Sequence, residues 1–267
     1  MNAIEKTFQK QSQQNKAILI GYIMAGDPTP KQTPKIADSL IKGGIDILEL
    51  GLPFSDPIAD GPTIQAASIR ALTSKTTPMK VLEIAKQIKQ QHPSVPIVIM
   101  TYFNPLFKIG LKIFFQTAKE NKVDGFIIPD LPVEEAKEYK KTAETYKLST
   151  IFLAAPSTSN QRLTKIVRAS SGFLYLVSHF GVTGTRSNVE ESTIKLIKRV
   201  KPFTARKVPL AVGFGISKPQ HIKKLVTAGA EATIVGSSFV KIIQENSRTM
   251  LRDLQATARE FKNATQF

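Results

Sequence analysis

The chain has 267 residues, 42% of them hydrophobic, so a large core is available; it has no Cys, which excludes disulfides, thiolate metal sites and a cysteine nucleophile. Its 37 Lys and Arg against 21 Asp and Glu give a formal charge of +16. The cations are scattered, as in "KEYKK" and "KLIKRVK", without an RNP-like aromatic motif or a zinc knuckle; that argues against specific nucleic-acid binding and leaves non-specific attraction to polyanions.

The first segment, "MNAIEKTFQKQSQQNK", lacks the apolar centre of a signal peptide, and its first dozen residues read as an extra helix. The longest apolar stretches, such as "AILIGYIMA", are too short to span a bilayer. A cytoplasmic protein without membrane contact is the expectation, or a stromal one if the gene is plastid-encoded. Short apolar runs then recur: "AILIGYIM" (17–24), "DILEL" (46–50), "VPIVIMT" (95–101), "DGFIIPD" (124–130), "STIFLAA" (149–155), "FLYLVS" (173–178), "VPLAV" (208–212) and "ATIVG" (232–236). They are continuous rather than alternating, as in strands buried on both faces of a parallel sheet.

Between the runs lie amphipathic patterns with lysine on one side and an apolar stripe on the other, such as "TPMKVLEIAKQIKQQHP" with Val81, Ile84, Ala85 and Ile88. "TPKQTPKIADSLIKGG" ends on a glycine pair suited to a helix C-cap, and residues 246–263 read as a last helix. Strand and helix alternate eight times with no linker and no close internal repeat. The prediction is a single α/β domain over residues 1–267, a (β/α)8 TIM barrel with its extra N-terminal helix across the bottom. An open doubly wound sheet is the rival, but "GYIMAGDP" is not a dinucleotide fingerprint.

Barrel active sites lie at the C-terminal strand ends. "GVTG" after the sixth run, "GFG" after the seventh and "GSS" after the eighth combine glycine amides with a helix N-terminus, the makings of a phosphate site. The alternative is three ordinary tight turns. In "LELGLPFSDPIADGPTIQ", Glu49 stands between Leu48 and Leu50 in a strand, where burial raises a carboxyl pKa and suits it to give and take a proton. A Glu satisfied by a buried partner, or facing outward, is the other reading. Asp60 is a second acid for the mouth or else an Asx turn or helix cap; Asp56, before Pro57, reads as a loop-apex turn residue. His92, His179 and His221 have no i,i+4 spacing, so no metal site is expected.

The set "LELGLPFSDPIADGPTIQ", "GYIMAGDP", "YFNPLF", "PDLPVEE", "YLVS..GVTG", "GFGIS" and "GSSFVKII", in that order over residues 20–245, strongly resembles the tryptophan synthase α family. The resemblance implies a lyase that cleaves indole-3-glycerol phosphate to indole and glyceraldehyde 3-phosphate, with no metal or cofactor in this subunit. It casts Glu49 as the proton shuttle and Asp60 as the acceptor of the indole N–H. It places Tyr22 and Tyr175 near the indole and glycerol portions, and Met100, Ile127, Leu153, Phe214 and Ile234 around the ring. Thr183 is implied to close down on Asp60, while Gly184, Gly215, Gly236 and Ser237 hold the phosphate. It further implies a pyridoxal-phosphate β subunit in an α2β2 assembly, met by Pro53, Phe54, Asp56, Asn104, Pro105 and Phe107. Tyr22 stands where Phe is common in the family, and His179 and Phe180 where many members carry Arg or a small polar residue; Phe180 bears on loop closure, not on the reaction. Another sugar-phosphate barrel enzyme and a catalytically silent partner-activating barrel are the competing readings.

Overall fold

The computed structural model describes residues 2–178, 186–213 and 215–266, with the side chains of 186–190 excepted. Eight parallel strands form the inner wall: β1 (Ile18–Met24), β2 (Ile47–Gly51), β3 (Ile97–Met100), β4 (Gly125–Ile127), β5 (Ser149–Ile151 and then Leu153–Ala154), β6 (Leu174–Val177), β7 (Leu210–Gly213) and β8 (Ala232–Val235). The helices are α1 (Ala3–Gln13), α2 (Thr33–Gly43), α3 (Pro62–Thr73), α4 (Pro78–Gln91), α5 (Phe103–Ile109), α6 (Leu111–Glu120), α7 (Lys137–Thr145), α8 (Asn160–Ala169), α9 (Arg186–Thr204), α10 (Pro219–Thr227), α11 (Ser237–Glu245) and α12 (Met250–Asn263). Each apolar run of the sequence is one strand of the barrel.

Closure falls on β5. Its first piece pairs with β4 (Gly125↔Ser149) and its second with β6 (Leu153↔Tyr175), so the two ends of the sheet are joined by chain continuity through Phe152. The Phe152 carbonyl accepts the Tyr175 N–H at 3.0 Å and its ring is buried among the outer helices. The alternation of a strand splits each run in two. On β2, Leu48 and Leu50 face the helical layer while Ile47 and Glu49 face the interior. The interior is filled by Ile18, Ile20, Val98, Ile127, Ile151 and Ile234 and their neighbours, so the barrel is packed rather than hollow.

The predicted N-terminal helix seals the bottom. Ile4 and Phe8 of α1 enter the interior cluster, and the Phe8 ring sits 6.1 Å from that of Phe173. A capping box starts the helix: Glu5 N–H donates to Asn2 Oδ1 at 2.9 Å and Asn2 N–H to Glu5 Oε2 at 3.0 Å. At α2 the chain turns on Gly44, left-handed at φ 109°, as the glycine pair predicts.

A device recurs at this bottom face. Asp46, just before β2, accepts the Leu19 N–H of β1 at 2.8 Å; Asp124, before β4, accepts Ile97 N–H of β3 at 2.8 Å; Glu231, before β8, accepts Leu210 N–H of β7 at 2.8 Å. Ser171, before β6, does the same for Thr150 N–H of β5 at 2.8 Å. Each acid is also paired with a lysine: Lys262 on Asp46 at 2.6 Å, Lys89 on Asp124 at 2.9 Å and Lys201 on Glu231 at 2.6 Å. The barrel thus repeats every two strands in its hydrogen bonding, where the sequence shows no close repeat. Each device satisfies a strand-end amide that burial would otherwise orphan.

Candidate active site

Glu49 sits on β2 with its Cα opposite Tyr22 on β1 and Val98 on β3, at 0% exposure. Neither carboxyl oxygen has a hydrogen-bond partner among the described residues. It faces the barrel interior, and no buried partner satisfies it among the described residues. Burial, then the nearby Asp60 charge, raises its pKa from 4.5 to about 8.

Asp60 lies in the loop between β2 and α3. The cap of α3 is Gly61, with no side-chain capping bond, so Asp60 is not a helix cap. Burial raises its pKa to about 6, opposed by a hydrogen bond from Tyr102. Tyr102 is a residue that sequence reasoning missed. It follows β3 at the start of "YFNP", and its hydroxyl also accepts the Ala59 N–H at 2.9 Å, while its ring packs tilted against Phe54 with centroids 5.4 Å apart. The loop is tied down a second time by Ser68 of α3, whose hydroxyl accepts Phe54 N–H and donates to Phe54 C=O, both at 2.9 Å. A tyrosine two residues past a strand end was the available signal.

Two more phenols complete the mouth. Burial, then the Asp60 and Glu49 charges, pushes the Tyr22 phenol up; burial, then Glu49 and Asp60, does the same for Tyr175. These mutual effects place the two carboxyls and three tyrosines in one electrostatic neighbourhood. Glycines make room for the rings. A Cβ on Gly51 would stand 2.2 Å from the Tyr22 hydroxyl, one on Gly213 2.6 Å from the Tyr175 ring and hydroxyl, and one on Gly236 3.1 Å from Tyr22 Cδ1.

Met100, Ile127, Leu153 and Ile234 line the interior of the same end, with Ile127 and Ile234 fully enclosed and Met100 and Leu153 partly so. Gly236 caps α11, Ser237 is its first residue, and Ser238 Oγ donates to the Ile216 carbonyl at 3.1 Å, which ties the loop after β7 to the α11 N-terminus. Gly215, in that loop, is exposed and left-handed at φ 70°. The structure therefore brings Gly215, Gly236 and Ser237 to one helix N-terminus, where amides and dipole favour an anion. Thr183, Gly184 and Phe214, with His179 and Phe180, lie outside the described residues.

On the loop side of the mouth, Asp56 is exposed at the apex and bonded to Ser55, Asn104 is exposed, and Pro105 and Phe54 are half-buried. Pro53 is buried under them. Ile58 at 82% and Phe107 at 70% are among the most exposed large apolar side chains. Helix α5, which carries Asn104 and Phe107, is anchored by Asp130 after β4; the Phe103 N–H donates to its Oδ1 at 2.9 Å and Oδ2 at 3.2 Å. Asp27 in the loop after β1 is 1% exposed and accepts two bonds from Arg70 of α3, each 2.8 Å. That bidentate pair holds α3, and hence the Asp60 loop, against β1.

The sequence profile of the tryptophan synthase alpha chain matches residues 8–266. The tryptophan synthase alpha chain of Methanosarcina acetivorans is 46% identical over 260 residues, covering 97% of this chain and 93% of its own. That of Solibacter usitatus is 44% identical over 255 residues, covering 96% and 94%. Among solved structures, tryptophan synthase subunit alpha from Legionella pneumophila superposes with a TM-score of 0.91 at 34% identity, covering 99% and 98%. A chain of tryptophan synthase from M. tuberculosis in an aminoacrylate-bound form gives 0.88 at 30%, covering 100% of both.

Proposed function

The chain belongs to the tryptophan synthase alpha chain family, and from that premise we propose that Glu49 and Asp60 carry the cleavage of indole-3-glycerol phosphate in this protein. The lyase reaction breaks the bond between indole C3 and the first glycerol carbon and needs no cofactor in this subunit. Indole is a poor leaving carbanion until C3 gains a proton. Protonation there leaves a cation spread over the ring nitrogen. The hydroxyl on the first glycerol carbon then loses its proton, its electrons form the aldehyde C=O, and the breaking C–C pair returns to the ring. Indole and glyceraldehyde 3-phosphate result, with no net change in protons.

One carboxyl can supply the first proton and take the second. The observation that carries the assignment is Glu49: fully enclosed, with neither oxygen partnered among the described residues and a pKa near 8, it holds a proton at neutral pH and can release it. Asp60, with a pKa near 6, is ionised under the same conditions and can accept the indole N–H and offset the ring charge. Tyr175 sits toward the glycerol, and Tyr22, Met100, Ile127, Leu153, Phe214 and Ile234 enclose the ring. Gly184, Gly215, Gly236 and Ser237 hold the phosphate; Thr183 closes over Asp60 and keeps water out.

The whole chain works as one barrel domain and pairs with a pyridoxal-phosphate β subunit in an α2β2 assembly that receives the indole. Exposed Asp56, Asn104 and Phe107, with Phe54 and Pro53 behind them, supply that face. The reaction belongs, on this reading, to the cytoplasm, or to the stroma for a plastid-encoded chain. No helix among the described residues is long and apolar enough to cross a membrane. The test is indole release from indole-3-glycerol phosphate, with and without a β subunit, by the wild type and by Glu49→Gln and Asp60→Asn. Slow release that the partner accelerates, abolished by Glu49→Gln, is expected. Release that survives Glu49→Gln would remove this acid from the chemistry, and near wild-type kcat in Asp60→Asn would refute the charge-stabilising role.

A further inference from the structure

Tyr22 brings into the ring slot a polar group that the bond-breaking chemistry does not use. Its side chain is 5% exposed, its ring lies against Gly236 and its hydroxyl over Gly51. Among the described residues that hydroxyl has one hydrogen-bond partner, Met24 Sδ at 4.0 Å, and a thioether is a weak acceptor. The apolar side chains packed around it, including Ile64, Ala67, Met100 and Val240, offer no oxygen or nitrogen, and Asp60 and Glu49 act on it by charge, without a hydrogen bond to it among the described residues. A phenylalanine would fill the same ring volume. What the hydroxyl adds is a buried O–H whose bonding capacity is almost unspent. Burial first, and then the Asp60 charge, keep the phenol protonated, so it remains a donor through the neutral range.

We propose that the Tyr22 hydroxyl is a specificity group that lets this site take indole rings bearing a hydroxyl or a ring nitrogen on the benzo edge, as their glycerol phosphates. The inference rests on the reading of the site as an indole-3-glycerol phosphate pocket. An apolar slot strips water from a polar ring substituent and returns nothing, so it rejects such rings. A buried hydroxyl at the slot wall supplies the missing partner as donor or acceptor. The bond broken stays the same, and the product is the hydroxylated indole in place of indole.

The test compares kcat/KM for indole-3-glycerol phosphate and its four benzo-ring hydroxylated analogues, in the wild type and in Tyr22→Phe, which keeps the ring on Gly236. The reading is the ratio of each analogue to the parent substrate, whatever the variant does to the parent rate. The ratio is expected to fall about tenfold or more for at least one ring position, chiefly through KM, as for a lost buried hydrogen bond. Unchanged ratios at all four positions, including an equal loss on every substrate, would overturn the proposal. A wild-type chain that releases no indole from the parent substrate fails earlier and separately: it removes the functional reading, and this inference with it.

Discussion

Glu49→Gln is expected to stabilise the fold, by an amount that grows with pH. The carboxyl pKa rises from 4.5 to about 8 on folding, through burial first and the Asp60 charge second. Below the lower value both states hold the proton and the group is neutral to stability. Between the two, the unfolded chain has released its proton and the folded one retains it, so stability falls by about 1.4 kcal/mol per pH unit. At pH 7 that amounts to about 3 kcal/mol, and above pH 8 it levels off at a ceiling of about 5 kcal/mol. Glutamine keeps the length and a polar tip in the same enclosed spot but cannot ionise, so the comparison isolates the charge. The assay is urea unfolding of both proteins near pH 5 and pH 9, reading the first departure from the native baseline, because a barrel of this size need not unfold in one step. The gain at the higher pH should exceed that at the lower by about 2–4 kcal/mol. Equal gains at the two pH values, or a loss at the higher one, would show that Glu49 is not strained by ionisation.

Tyr102→Phe removes the hydrogen bond that lowers the Asp60 pKa, so Asp60 ionises only at higher pH and the acid limb of the kcat/KM profile moves up from about 6; an unmoved limb would separate Tyr102 from Asp60. Gly51→Ala puts a methyl 2.2 Å from the Tyr22 hydroxyl and forces that ring aside; about 1–3 kcal/mol of stability and much of the activity should go, measured by melting and indole release. Arg70→Met strands the Asp27 carboxylate, whose side chain is 0% exposed, and should cost about 3–5 kcal/mol in the same urea series. Asp27→Asn combined with Arg70→Met should recover a good part of that loss.

The strands were legible because burial on both faces writes continuous apolar runs, and the sequence ranges bracket the observed strands within a few residues. Glu49 stood out for the same reason: an acid inside such an apolar run is conspicuous, and among the described residues its oxygens have no hydrogen-bond partner. Tyr102 was not, because its importance lies in reaching across from the end of β3 to a loop after β2, a contact that depends on the neighbouring strand register. Helix α5 was hidden by its seven-residue length and by Pro105 within it, which reads as a breaker. The bottom-face device left a faint trace, an acid just before the strand in "IDILEL", "VDGFII" and "AEATIV", but Ser171 occupies the fourth position and breaks the pattern. The Asp27–Arg70 pair joins residues 43 apart in sequence, and no local pattern announces it.

The glycines that mirror the tyrosine rings constrain how this site can change over generations. Position 51 is small because position 22 is large, and position 213 because position 175 is large. Neither member of a pair is then free to drift alone: enlargement at 213 meets Tyr175, and shrinkage at 175 leaves a void over Gly213. A lineage that loses Tyr175 to a smaller residue can regain a filled pocket through a larger one at 213, and afterwards the original tyrosine is no longer an acceptable reversion. The order in which substitutions arrive at these two pairs decides which pockets descendants of this barrel can reach.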